Sequence, residues 1–176
     1  MLKGINETTS KRNTLIITDI NHEFQQLLST FLQVDESNLL VLTSESAAIT
    51  QPYGCLVRNI ILAIYQHNVE HICLIAPKNH NRVKFNQSIM MRELEEDGIS
   101  QQLLNTLDYS RIVNKDVLSW LKGIDGEVEE TLRSSLHLLQ NHPLIPNRIV
   151  IEAYTMNIET GHFNCISQHN QEEEIG

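Results

Sequence analysis

The sequence predicts an α/β fold built on a largely parallel sheet, and three observations carry that expectation. Short, almost wholly apolar runs recur as TLIIT at 14–18, NLLVLT at 38–43 and HICLIA at 71–76. Runs of this length and branching read as strands buried on both faces. Between them lie segments whose apolar residues return every three or four positions, the period of a helix packed on one side. Strands alternating with helices describe a parallel sheet covered by helices.

The elements follow in order. Residues 1–13 are polar and read as a loose arm. After TLIIT, Asp19 or Asn21 is placed to cap a helix carrying Phe24, Leu27, Leu28, Phe31 and Leu32 at helical spacing. NLLVLT is the second strand, and SESAAITQPYG after it is a loop punctuated by Pro52 and Gly54. CLVRNIILAIYQHN, 55–68, sets Val57, Ile60, Ile61 and Ile64 on one side and reads as a helix. HICLIA is the third strand, with PKNHNR a loop at its C-terminal end. Phe85, Ile89, Met90 and Leu94 mark a helix stopped by Asp97-Gly98, and 99–107 a further short one. From Val117 the period continues through Leu121, Ile124, Val128, Leu132, Leu136 and Leu139, split by Gly123 and Gly126.

The C-terminal third turns on two prolines. Proline cannot continue a helix and pushes its predecessor toward extended backbone. Pro143 therefore ends the helix, Pro146 keeps the chain extended, and RIVIEAY begins a strand. NIETG is a turn in which Gly161 takes positive φ, and HFNCI returns antiparallel. The expected organisation is one α/β domain over 14–167, with the arm 1–13 before it and an acidic tail at 168–176.

Composition narrows the function classes. The 22 acidic residues against 13 Lys and Arg give a net charge of −9, which disfavours nucleic acid and anionic membranes as partners. No apolar run approaches the roughly 20 residues that span a bilayer, and the N-terminus is not expected to be a signal peptide. Cys55, Cys73 and Cys165 are far apart, odd in number and free of any CxxC pattern. A disulfide framework is not expected, and a reduced, cytoplasmic protein is.

SSLHLLQNHPLIPNRIVIEAYTMNIETGHF resembles the C-terminal signature of the β-class carbonic anhydrases. Pro143, Leu144, Ile145 and Pro146 match the family's proline corner; Tyr154, Thr160 and Gly161 match its strand and turn. GIDGEVEETLRSSL resembles the segment before it, and the order of elements agrees over residues 38–166. The resemblance implies a three-layer fold, a mainly parallel central sheet with an antiparallel C-terminal edge strand, and a homodimer. Arg58-Asn59 leads straight into a helical pattern, so one family strand is expected to be missing or absorbed around 55–62.

The family holds zinc with a Cys-x-Asp-x-Arg motif after its first strand and a His-x-x-Cys motif after a later one. Here the first is matched to Thr43, Ser44, Glu45, Ser46 and Ala47, and the second to Pro77, Lys78, Asn79 and His80. Thr43 stands for a cysteine, Ala47 for the arginine, and Pro77 cannot ligate. Glu45 and His80 alone are candidate metal ligands, and two are too few for a structural or catalytic zinc site. The plainer reading makes Glu45 a solvated carboxylate and His80 a loop histidine.

Other residues divide the same way. Cys55 is either an added thiolate ligand or a small buried residue at a helix start; Cys73 is core. Lys78 and Arg82 either draw an anion to the strand ends or are exposed cations. His22 beside Asp19 is an acid–base couple or a capping group, and His137 and His142 are surface or packing residues. Ser44 and Ser46 lack the base and orienting group that a nucleophile needs.

Three functions follow. The first is a catalytically degenerate carbonic-anhydrase-like protein, a pseudoenzyme acting as a binding or regulatory partner in CO2 and bicarbonate handling. It is expected to need no cofactor and to meet a protein partner of inorganic-carbon uptake. The second is an active carbonate dehydratase with a non-standard metal site, which would require zinc. The third is a small anion-binding module at Thr43, Ser44, Lys78 and His80.

Overall fold

A computed structural model describes residues 13–32, 38–78, 85–110, 116–122 and 127–166. These fall into two compact units, one within residues 1–80 and 126–176 and the other within 81–125.

The first unit holds the sheet. Its elements are β1 (Thr14–Thr18), α1 (His22–Leu32), β2 (Leu39–Thr43), a single 3-10 turn (Glu45–Ala47), α2 (Cys55–Gln66) and β3 (His71–Pro77). The second unit contributes α3 (Gln87–Glu96), α4 (Gln101–Tyr109) and α5 (Val117–Lys122). The chain then returns with α6 (Val128–Gln140), β4 (Val150–Met156) and β5 (Phe163–Cys165). The strands lie in the order β2-β1-β3-β4-β5. All neighbours are parallel except β4 and β5, which are antiparallel.

Strand side chains alternate between two faces, and each face has its own apolar layer. Leu15, Ile17, Ile72, Leu74 and Ala153 pack with Val57, Ile60 and Ile64 of α2 and Leu132, Leu136 and Leu139 of α6. Ile16, Cys73, Ile75, Tyr154 and Met156 pack with Phe24, Leu28 and Leu32 of α1. The expected three layers are therefore present. β1 and β3 are buried at every position because both faces are covered and both edges paired.

Two expectations need correction. NLLVLT is not a strand buried on both faces. It lies at the sheet edge with one neighbour, and Val41 is 52 % exposed. Cys55 is not buried; it is exposed at the first residue of α2. That helix begins at residue 55 itself and occupies the region where a strand was expected to be missing or absorbed.

The turns are as their chemistry dictates. Asn21 caps α1, its side chain accepting from the Phe24 N–H at 3.0 Å. α6 stops at Gln140, and the proline corner closes with the Ile145 N–H on the His142 carbonyl and the Ile149 N–H on the Pro146 carbonyl, each at 3.0 Å. His142 braces this corner, with Nε2 donating to the Pro52 carbonyl at 2.9 Å and Nδ1 accepting from the Leu144 N–H at 3.2 Å. Gly161 takes φ +66° in the hairpin turn, where the Asn157 side chain accepts from the N–H groups of Glu159 and Thr160.

Within the second unit, Asn86, Ser100 and Asp116 each cap the helix they precede. Asp108 joins α4 to α5 by accepting from the Val117 N–H at 2.8 Å. Hydrogen bonds from Ser119 hold the Asp116 carboxyl below the usual carboxylate range.

Candidate functional site

In an open parallel sheet, ligands collect outside the carboxyl ends of the strands. Here that edge is formed by Thr18 of β1, Thr43 of β2, Pro77 of β3 and the loop from Ser44. β1 lies between β2 and β3, with Thr18 paired to Thr43 on one side and Ile75 on the other. Thr43 and Pro77 therefore end strands that do not touch: Pro77 pairs with Met156 of β4, and between β2 and β3 the chain leaves β1 through Thr18 and Asp19.

Asp19 organises this end. It is 6 % exposed. Its Oδ2 accepts from the Ser46 N–H at 2.7 Å and its Oδ1 from the Asn21 N–H, also at 2.7 Å. Ser46 and Ala47 both sit at φ +54°, a left-handed conformation uncommon for residues with a Cβ. The carboxylate holds one end of that strained turn. The other end is tied to α6, where Ser135 Oγ accepts from the Ile49 N–H at 2.9 Å and donates to the Thr131 carbonyl at 2.9 Å.

The remaining sequence candidates disperse around this turn. Thr43 and Glu45 are exposed, Ser44 is half-buried, and Ala47 is fully buried in the apolar layer under α2 and α6. Pro77 is buried as the last residue of β3. Lys78 donates its N–H to the Met156 carbonyl at 2.8 Å, and its ammonium pairs with Glu129 at 3.5 Å. His80, Arg82 and Asn79 lie outside the described residues.

The zinc that the resemblance implies does not fit the described donors here. Thr43, Ser44 and Thr18 offer neutral hydroxyls, Pro77 offers nothing, Lys78 carries a cation, and Glu45 offers one exposed carboxylate. Both carboxylate oxygens of Asp19 are committed to backbone N–H groups. Zinc requires three or four thiolate, imidazole or carboxylate donors in a tetrahedral set.

Among the described residues, three such donors converge at one place, and it is elsewhere: His71, Cys73 and Glu152, whose ligand atoms lie within 4.8 Å of one another. His71 and Cys73 are alternate residues on the α1 face of β3, and the parallel register sets Cys73 opposite Glu152 of β4. His71 Nε2 lies 2.6 Å from Glu152 Oε2 and 3.3 Å from Cys73 Sγ. Burial pushes the Cys73 thiol far up, and the Glu152 charge adds to that. The same two causes, burial first, raise the Tyr154 phenol and the Cys165 thiol. His71 opens β3 and Pro77 closes it, so the cluster stands roughly 13–20 Å from the carboxyl edge at about 3.3 Å per residue.

No protein-family model matches the chain. In sequence it is 24 % identical over 155 residues to the Bacillus subtilis protein named "Putative carbonic anhydrase YvdA", covering 88 % of this chain and 77 % of that one. It is 26 % identical over 156 residues to "Putative carbonic anhydrase-like protein YbcF" of the same organism, covering 85 % and 84 %. In structure it superposes on the β-carbonic anhydrase isoform I of Trichomonas vaginalis with a TM-score of 0.70, covering 90 % of this chain and 84 % of that one at 15 % identity. This is a β-carbonic-anhydrase-like chain. Within that fold, the anhydrase-like carboxyl edge carries Asp19 and the Ser46-Ala47 turn, while the three convergent donors sit at the other end of β3.

Sequence reasoning missed Asp19 as the organising group, although DINHEF directly follows the first strand. It saw Cys73 as core, which its burial bears out, but not its partners. The alternation of His71 and Cys73 within one strand was legible. Glu152, 79 residues further on, joins them only through the β3–β4 register.

Proposed function

We propose that the chain is a carbonic-anhydrase-like protein without carbonic anhydrase activity, acting as a binding or regulatory partner in CO2 and bicarbonate handling in the cytoplasm. One observation carries this reading: the described side chains at the carboxyl edge are hydroxyls, a proline, a lysine, a committed aspartate and the single exposed carboxylate of Glu45, fewer donors than zinc requires. Without a bound metal, water keeps a pKa near about 15.7, and no hydroxide is available at neutral pH to attack CO2. No helix among the described residues is long and apolar enough to cross a membrane.

The test is stopped-flow CO2 hydration by the full chain, with and without added zinc. The expected rate in both is that of buffer. A zinc-dependent rate that disappears in His80→Ala overturns the reading in favour of an active carbonate dehydratase. The anion-module reading is tested by thermal shift with bicarbonate, sulfate and phosphate, and no shift at millimolar levels counts against it.

A homodimer belongs to the same proposal. β2 is an edge strand with Val41 exposed, and beside it Leu40, Leu42, Leu62 and Ala63 line a groove. Light scattering coupled to gel filtration should return twice the chain mass of 20.2 kDa. A single chain mass at high concentration counts against it.

A further inference from the structure

We infer that His71, Cys73 and Glu152 form a binding site for a zinc-like divalent cation, distinct from the carboxyl edge where the fold's relatives would place one. The inference rests on residues apart from those that carry the proposed function.

The three ligand atoms lie within 4.8 Å of one another. His71 Nε2 meets the Glu152 carboxylate at 2.6 Å, while the Cys73 sulfur lies beside the imidazole ring, 3.3 Å from Nε2 and 3.8 Å from Nδ1, so a shared ion requires the ring to turn. With Nε2 on Glu152, the Cys73 thiol is left with weak contacts only, in a place where His71 and Cys73 are fully buried. A cation in the middle satisfies all three. In a tetrahedral zinc site, bonds of about 2.0–2.3 Å set donor atoms roughly 3.3–3.8 Å apart. The 3.3 Å sulfur–nitrogen distance already lies in that range. The 2.6 Å nitrogen–oxygen contact needs to open by about 1 Å, a movement available to Glu152, whose side chain is 35 % exposed.

The donor set names the cation. Thiolate with imidazole and one carboxylate suits a borderline-soft ion such as Zn2+ and not Ca2+ or Mg2+, which take oxygen. Binding replaces the thiol proton, and any proton on Nε2, with the ion and releases them to solvent. Three protein donors leave a fourth position for a further ligand on the side of Glu152, the one partly exposed member of the cluster.

The experiment uses the full chain freed of metal by chelator. Zn2+ is titrated against a chromophoric competitor, and Co2+ is titrated while the spectrum is recorded. One equivalent of Zn2+ per chain is expected, together with a thiolate-to-cobalt charge-transfer band that Cys73→Ser removes. Glu152→Gln preserves shape at a half-exposed position and should weaken Zn2+ binding roughly tenfold or more, with circular dichroism unchanged. It carries the test if Cys73→Ser fails to fold. His80→Ala should change neither signal. Absence of Zn2+ uptake by the unaltered chain overturns this site and leaves the proposed function standing. So does uptake that survives Glu152→Gln undiminished. Uptake lost in His80→Ala and kept in Glu152→Gln overturns both.

Discussion

At the scale of single residues, Asp19 does more than its neighbours. A buried carboxylate is costly unless hydrogen-bonded, and this one accepts two backbone N–H groups, from Asn21 and Ser46. It thereby joins the start of α1 to a turn with two consecutive left-handed residues. Asp19→Ala takes away the acceptor that both N–H groups share and leaves that of Ser46 buried, which should cost about 2 kcal/mol in urea unfolding. Asp19→Asn should cost less, because its amide oxygen can still take one of them. An Asp19→Ala variant as stable as the parent refutes the role. In the sequence, Asp19 showed itself as one of two alternative caps and as the neighbour of His22. Asn21 provides the cap, and the contact to Ser46 spans 27 positions, which no local pattern reveals.

At the scale of elements, the apolar runs identify β1 and β3 because these strands are enclosed on both faces, whereas β2 reads alike and lies at the edge. A run of Leu and Val shows that a strand forms; it does not show how many neighbours the strand has. The hairpin was legible down to Gly161, since turn geometry is local. The register of β3 on β4 was not, and with it went Glu152. β4 also carries a testable flaw. Thr155 is fully buried, and among the described residues its hydroxyl has no hydrogen-bond partner. A desolvated hydroxyl opposes folding, so Thr155→Val, similar in shape and favoured in strands, should raise stability by about 1 kcal/mol. A measured loss would mean that the hydroxyl is satisfied in solution.

At the scale of the whole molecule, the α1 face sets an alkaline limit. Burial raises the Cys73 thiol above its ordinary value of 9.0, so the folded chain keeps that proton longer than the unfolded chain does. The contribution is fully present below pH 9.0 and is lost as pH rises from there through the folded value. In metal-free protein this group should remove about 1.4 kcal/mol of stability per pH unit above 9.0, and urea midpoints across that range should flatten in Cys73→Ala. An unchanged slope would place the limit in other groups. The Ser46-Ala47 turn reaches furthest into what can be done with this scaffold. Ala47 has no exposed surface and its methyl fills the layer beneath α2 and α6. There is no room for a guanidinium at that corner. Placing an arginine there would push a long cation into a closed seam and should unfold the chain before any new chemistry appeared. Fitting one means re-laying the whole bend between β2 and α2, with its handedness, in one step.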